Sequence, residues 1–344
     1  MKVAVVLLNW NGLDLFDKFL PSVLRNSSSE NVGIYVADNG SDDDSISYLK
    51  TNYPSINIIE NGRNYGFAGG YNVALKQIDA EYYVLLNTDV EVTEGWIKPI
   101  IDFMDKDDRV AVCQPKILSY NGKNYFEHAG AAGGYVDKVG YPFCRGRVFD
   151  FVEEDLGQHN EPTDIFWASG AAMFIRASVY RAAGELDEDF FAHMEEIDLC
   201  WRIKRLGYEV YAVPQSVVYH FGGGTLPYAS SRKLYLNFRN SLFMLYKNAP
   251  KEQLLVSMMS KALIDFLSLP MFLLKADIGS VKALFKAYWH FVRAIKKLRI
   301  KRKIVLMHSK IEHVSGVYNG FIAIEYFLSR KKIYVQYKSG IRRK

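Results

Sequence analysis

Tyr82-Tyr83-Val84-Leu85-Leu86-Asn87-Thr88-Asp89-Val90-Glu91 decides how this chain folds. Its first five residues are a continuous apolar run, as a strand buried on both faces requires. The run breaks into Asn-Thr-Asp, so a carboxylate stands at the strand's carboxyl end. A carboxylate there can hold a hard divalent cation, which prefers oxygen ligands. The same residues also suit a plain turn.

Upstream, the pattern repeats. Val3–Leu8 is a β-branched run ending at Asn9-Trp10-Asn11-Gly12, and Leu13–Leu24 reads as a helix. Six apolar residues are too few for a signal peptide, so Val3–Leu8 is read as a buried first strand. Gly33–Ala37 is a second strand, ending at Asp38-Asn39-Gly40-Ser41-Asp42, and Ser45–Asn52 a helix. Ile56–Glu60 is a third strand and Gly70–Ile78 a helix. Strands alternating with helices predict an α/β, Rossmann-like, mainly parallel sheet, in which ligands bind at the carboxyl ends of the strands.

Four further stretches stand at such ends or near them. Asp38 can accept a hydrogen bond from the imide N–H of uracil or thymine, or can close an Asx turn. The loop Gly62-Arg63-Asn64-Tyr65-Gly66-Phe67-Ala68-Gly69-Gly70-Tyr71-Asn72 runs into a helix, and its glycines allow a phosphate close approach. It does not match dinucleotide or P-loop spacing. Phe190–Arg202 holds Glu195, Glu196 and Asp198. Clustered acids repel, which raises a pKa and suits a general base. Asp198 and Arg202 also have the i,i+4 spacing of a structural pair. Val217-Val218-Tyr219-His220-Phe221-Gly222-Gly223-Gly224 ends a strand in a histidine, either structural or, beside a carboxylate, a metal ligand.

In this combination and order, residues 1–227 resemble the GT-A glycosyltransferases of family 2, especially the rhamnosyltransferase-like branch. The resemblance implies an inverting, metal-dependent transfer of a sugar from a nucleotide-diphosphate donor. The sugar would be rhamnose from dTDP-rhamnose, or one from a UDP-sugar. The acceptor would be a hydroxyl of a polyprenyl-linked or cell-surface glycan. It further implies that Asp38 contacts the base and that Asn9, Asn11, Asn64, Gly66, Gly69, Gly70, Asn72, Asn87 and Asp89 lie on the donor side. Asp89 and His220 would hold Mg²⁺ or Mn²⁺. Glu196, with Glu195 beside it, is the base, and either of the two can fill that role. Trp167, Ser169, Gly170, Ala171, Asp198, Trp201 and Arg202 would lie on the acceptor side. Two departures stand out: Asn87 replaces the first acid of the DxD motif, and Glu196 replaces an Asp.

Charge divides the chain. Residues 1–227 hold 19 Lys/Arg against 33 Asp/Glu, and residues 228–344 hold 24 against 5, within an overall charge of +5. The basic part reads as a helical membrane-association region facing an anionic surface at the inner face of the cell membrane. Leu254–Leu274 is apolar, but Ser257, Ser260, Lys261, Asp265 and Ser268 form one polar stripe. Lys261 and Asp265 near mid-bilayer would cost about 2.5–3.5 kcal/mol each. A helix lying in the interface fits better. Lys282, Lys286, His290, Arg293 and Lys297 share one face of the next helix, among Phe285, Trp289 and Val292. The other reading is a helix packed on the catalytic domain with a solvated basic face. No nucleic-acid fold motif accompanies the charge, so nucleic acid is not expected as a partner; a homodimer is left open.

Cys113, Cys144 and Cys200 are odd in number and lack CxxC spacing, which argues against a disulfide framework or zinc site and for a reducing cytosol. Two rivals remain. A sugar nucleotidyltransferase would want a basic phosphate loop near the start, yet Leu8–Asp14 contains no Lys or Arg. A non-catalytic nucleotide-sugar binder would be indifferent to loss of Glu196.

Overall fold

The computed structural model describes residues 1–128, 130–222 and 230–343. Strand β1 (Val3–Asn9) leads through α1 (Leu13–Ser27) to β2 (Val32–Asp38), and α2 (Ser45–Asn52) to β3 (Asn57–Glu60). Helix α3 (Gly66–Leu75) precedes β4 (Tyr82–Asn87), β5 (Val90–Val92), α4 (Lys98–Asp105) and the long β6 (Val110–Ser119). The expected α/β alternation is present. Helix α3 starts four residues earlier than expected, because the glycine-rich stretch is its first turn rather than a loop ahead of it.

Next come β7 (Gly134–Asp137), β8 (Pro142–Cys144), β9 (Arg147–Val148), β10 (Phe151–Val152) and β11 (Thr163–Asp164). Strand β12 (Ala172–Arg176) runs directly into α5 (Ala177–Ala182); a 3₁₀ turn (Glu188–Phe190), α6 (Glu195–Arg205) and β13 (Glu209–His220) follow. The main sheet has the order β11-β13-β6-β12-β4-β1-β2-β3, with β5 paired to β13. Strands β13, β6, β4, β1, β2 and β3 share one direction, and β12 is inserted antiparallel between β4 and β6.

Alternate residues of β1 and β4 enter opposite layers, as a period of two demands. Val3, Val5, Leu7, Tyr82, Val84 and Leu86 pack with Phe16, Leu20 and Val23 of α1. Ala4, Val6, Tyr83 and Leu85 pack with Ala68, Tyr71 and Ala74 of α3. The three cysteines are buried and free.

The basic region forms α7 (Ser231–Asn248), α8 (Leu254–Phe266), α9 (Leu269–Leu274), α10 (Ile278–His308), β14 (Val317–Tyr318) and α11 (Ile322–Phe327). Strand β14 joins β7 in a second sheet, ordered β10-β9-β8-β7-β14, so the end of the chain is woven into the body. Helix α7 is tied to α6 by buried charge. Lys247 reaches Asp187 at 2.6 Å and Asp198 at 2.8 Å, and Asn248 donates to Asp198 at 2.7 Å. From α10, Lys297 bonds Asp189, and Lys301 bonds both Asp187 and Asp189. Lys247 and Lys301 hold the Asp187 carboxyl well below the usual carboxylate range despite its burial. The expected boundary at 227/228 falls outside the described residues, as do Gly223 and Gly224.

The Leu254–Leu274 stretch is two helices, not one, broken at Leu267-Ser268 ahead of Pro270. Its stripe also points opposite to an ordinary surface helix. Ser257, Lys261 and Asp265 face the protein, and the leucines face out.

Lys247 is itself buried and bridges Asp187 and Asp198. Removing one member of a buried ion cluster costs about 3–5 kcal/mol. Lys247→Met should lower the unfolding free energy of the whole chain by about that amount in urea titrations. A loss below about 1 kcal/mol would show that this tie is marginal.

Candidate active site

Register puts Asn9 and Asp38 level with each other and Asn87 one residue away. Asn9 is opposite Asp38 across β1–β2, and Leu8 is opposite Asn87 across β1–β4. Asn9 is fully buried and donates to Asp38 at 3.1 Å, Ser41 at 3.1 Å and Ser45 at 3.0 Å. Asp38 also accepts from the Gly40 and Ser41 N–H groups and the Ser41 hydroxyl. That is the Asx turn weighed as an alternative, and it consumes most of the carboxylate's lone pairs. Asn11, with φ 52°, ties the β1 loop to the β2 loop by two bonds to Asp42.

The glycine stretch is shaped by packing. A Cβ on Gly66 (φ 73°) would meet the Phe191 carbonyl oxygen at 2.5 Å, and one on Gly70 would meet Leu8 at 2.8 Å. Asn64 holds the Gly66 N–H at 2.8 Å. The Phe67 N–H then donates to the Phe191 carbonyl at 2.6 Å, fastening the start of α3 to the segment that carries the acids.

That segment is strained. Phe191, His193 and Met194 all adopt left-handed backbone, with φ of 65°, 69° and 72°. Such conformations persist in non-glycine residues only where surroundings over-determine them, commonly at functional sites. Here the second restraint comes from α7. The Asn240 carboxamide donates to the carbonyls of Phe190, Ala192 and His193 at 2.9, 2.8 and 2.7 Å, and Arg239 donates to those of Asp189 and Phe190. Nothing in the sequence near Asn240 marks it, because its partners lie about fifty residues upstream.

Glu195 and Glu196 follow immediately, in the first turn of α6. One carboxylate oxygen of each, Oε2, is buried without a hydrogen-bond partner among the described residues. Burial pushes the Glu196 carboxyl up to about 7, against the pull of backbone N–H groups at the helix start. Burial, and then the charges of Glu196 and Asp198, push Glu195 well above the usual range. Glu196 keeps partial solvent access while Glu195 is closed in.

Asp89 and His220 meet at the ends of β4 and β13. His220 Nε2 lies 3.1 Å from Asp89 Oδ1, and its Nδ1 lies 3.3 Å from Glu127 Oε2. Asn87 Nδ2 is 3.4 Å from the same Nε2. Burial favours neutral imidazole, but the two carboxylates outweigh it and lift His220 to about 10. Burial also opposes ionisation of Asp89, yet His220 and backbone N–H groups hold its carboxyl below the usual range. Among the described residues, no three His, Cys, Asp or Glu side chains are grouped to hold a metal ion alone. Glu127 is a member of this site that no sequence motif indicated.

Several expected site residues are placed elsewhere. The Asn72 carboxamide faces the Tyr180–Glu188 segment, bonded to Leu186, Glu188 and Tyr180. Asp198 and Arg202 form the structural i,i+4 pair, with Arg202 also donating to the Glu185 carbonyl at 2.8 Å and to that of Ala183. Trp201 packs edge-on against Phe166, and Trp167 donates to the Tyr135 carbonyl. All five side chains are buried. Ser169 and Ala171 lie nearer the site: the Ala171 carbonyl accepts from Asn87 N–H, and Gly170 leaves room for the Phe67 ring. Gly69 sits against Tyr65. A cleft of about 510 Å³ lies between residues 182–189 and α10; neither Asp89 nor His220 lines it, and the Lys–Asp ties cross it.

Residues 4–184 match the model of the family described as Glycosyl transferase family 2. The N-acetylglucosaminyl-diphospho-decaprenol L-rhamnosyltransferase of Mycobacterium tuberculosis is 25% identical over 234 residues, covering 63% of this chain and 75% of that protein. The solved structure of S. aureus TarS 1-349 in complex with UDP-GlcNAc superposes with a TM-score of 0.57 at 14% identity, covering 90% of this chain and 87% of that one. GalNAc-T7 with UDP, GalNAc and Mn²⁺ superposes at 0.55 and 16% identity over 73% of this chain and 48% of that one. These likenesses bear out the GT-A architecture. Matched over more than half of its length, the chain belongs to glycosyl transferase family 2, and it is a glycosyltransferase.

Proposed function

We propose that this chain catalyses an inverting single displacement. It would move rhamnose from dTDP-rhamnose, or a sugar from a UDP-sugar, onto a hydroxyl of a polyprenyl-linked or growing surface glycan. The observation that carries this reading is Glu196: a desolvated carboxyl near neutral pKa, with an unpartnered oxygen, on a strained turn fastened to the donor-side loop. A base that must take a hydroxyl proton works best with a pKa close to the operating pH. Glu196 accepts the proton as the hydroxyl attacks the anomeric carbon, and the nucleoside diphosphate leaves from the opposite face. Glu195 lies closed in beside Glu196, its carboxyl pushed well above the usual range by burial and by the neighbouring Glu196 charge.

Asp89 and His220 suit one hard cation that takes its remaining ligands from the diphosphate, since Mg²⁺ is commonly held by one or two carboxylates plus substrate phosphates. Bound there, Mg²⁺ or Mn²⁺ supplies charge neutralisation for the leaving diphosphate. Asn87, uncharged, leaves Asp89 as the acid of this motif. The choice of rhamnose and of a polyprenyl-linked acceptor is supported by the name of the mycobacterial relative. Region 228–344 would keep the enzyme at the anionic inner face of the cell membrane, where such acceptors are held.

Glu196→Gln should lower kcat by roughly 10²–10⁴-fold while binding of the donor, read by thermal shift with Mn²⁺, survives. A larger loss in Glu195→Gln would transfer the role of base to Glu195. Because the base must be ionised, kcat should fall as pH drops, with an acid limb centred near 7. A raised carboxyl pKa makes the fold less stable as pH climbs from the unfolded carboxyl's range toward 7. Glu196→Gln should therefore melt no lower than the parent at about pH 8.

His220 must shed a proton to ligate a cation, so Mn²⁺ affinity should rise with pH, and isothermal titration should record proton release. His220→Ala should weaken Mn²⁺-dependent donor binding at least about tenfold. Undiminished binding in that variant would remove His220 from the metal shell.

A further inference from the structure

Helix α8 is amphipathic with its faces exchanged. Ser257, Lys261 and Asp265 point into the protein and are satisfied there. Ser257 donates to the Lys138 carbonyl at 3.2 Å, Lys261 to Asp265 at 3.0 Å, and Tyr288 of α10 to Asp265 at 2.7 Å. Tyr141 also bonds Asp265, and its ring lies 4.0 Å from the Lys261 ammonium. The outward side is leucine and methionine: Leu255 and Leu263 of α8 are 71% and 66% exposed, and Leu274 at the end of α9 is 89% exposed. Leu254–Leu274 is apolar enough to cross a bilayer by length and composition, and only 22% of an 18-residue window within it is buried in the protein. A water-facing helix hides its leucines and shows its polar stripe. This one does the reverse, and contiguous apolar surface of that kind marks an interaction face.

The neighbouring cations say what covers it. Lys275, Lys282, Lys286, Arg293 and Lys296 are exposed on the α9–α10 turn and along α10, the helix that also exposes Phe285 and Trp289. The Arg293 guanidinium lies over the Trp289 ring at 4.5 Å, an arrangement suited to an interface that is apolar on one side and wet on the other. A second copy of the chain would bring this rim against its own like charges in a two-fold contact. An anionic leaflet meets both the leucines and the lysines.

We propose that α8 and α9 are embedded in one leaflet of an anionic bilayer, down to the acyl boundary, with the α10 cations at the headgroups. The inward Lys261–Asp265 pair then needs no partner from lipid. This rests on the membrane placement proposed above and deepens it: the attachment is monotopic and held by apolar insertion, not by charge alone.

Full-length protein is floated with phosphatidylcholine vesicles containing one third phosphatidylglycerol, at low salt and at about 1 M salt, where screening acts within about 3 Å. Most of the protein should remain bound at high salt, and detergent should release it. Leu255→Ser/Leu263→Ser should reduce partitioning roughly tenfold while leaving the melting temperature and transfer to a water-soluble acceptor unchanged. Complete release by salt would overturn insertion, as would a stable dimer in light scattering that the double variant dissociates. Transfer to the soluble acceptor reports on the catalytic reading independently: its absence would sink that reading and leave the vesicle result standing.

Discussion

The turn Phe191–Met194 is the constraint on which the rest depends. Three non-glycine residues stay left-handed there, in a conformation that each would leave if free. It is held from two directions: Phe67, at the start of α3, grips the Phe191 carbonyl, and Asn240, from α7, grips those of Phe190, Ala192 and His193. The first belongs to the helix packed on β1 and β4, and the second to the basic region. Glu195 and Glu196 are fixed only because both halves are present. Strain at this point is how the fold aims two carboxyls where a relaxed helix entry would let them turn to water.

This changes what the basic region is for. In sequence it looks detachable, a cationic helical stretch behind an acidic domain. In the structure, Lys247, Lys297 and Lys301 neutralise Asp187 and Asp189 just before the strained turn, and β14 adds a strand to the second sheet. Part of the charge asymmetry is therefore internal pairing. Lys282, Lys286, Arg293 and Lys296, exposed along α10, have no carboxylate partner among the described residues.

The strands were legible because burial on both faces leaves an uninterrupted apolar run, and their ends because Asn, Asp and Gly end such runs. That placed Asn9, Asp38, Asn87 and His220 at one edge of the sheet from the order of residues alone. The start of α3 was misread because Gly66, Gly69 and Gly70 look like a loop, yet they serve close packing on Phe191, Tyr65 and Leu8. Asn72, Asp198, Trp201 and Arg202 lie in or beside motif stretches, but their side chains turn into the protein. Spacing along a helix does not say which face meets the ligand. Glu127, Asn240 and Lys247 meet His220, the Phe190–His193 carbonyls and Asp187 across long stretches of chain, so no local pattern could disclose them.

The same limit explains α8. Period 3.6 shows that Ser257, Lys261 and Asp265 share a stripe; it is silent on whether the stripe faces water or protein. Tyr141, Tyr288 and the Lys138 carbonyl decide it, since they supply bonds that water would otherwise make. Once those polar groups are satisfied internally, the cost that argued against burying this helix in lipid no longer applies to its outer side. The polar residues that count against a spanning segment are thus the ones that fasten an embedded segment to its domain. The chain from Asp265 through Tyr288 to α10, and from α10 through Lys301 to Asp187, links that outer surface to the segment just ahead of Glu195 and Glu196.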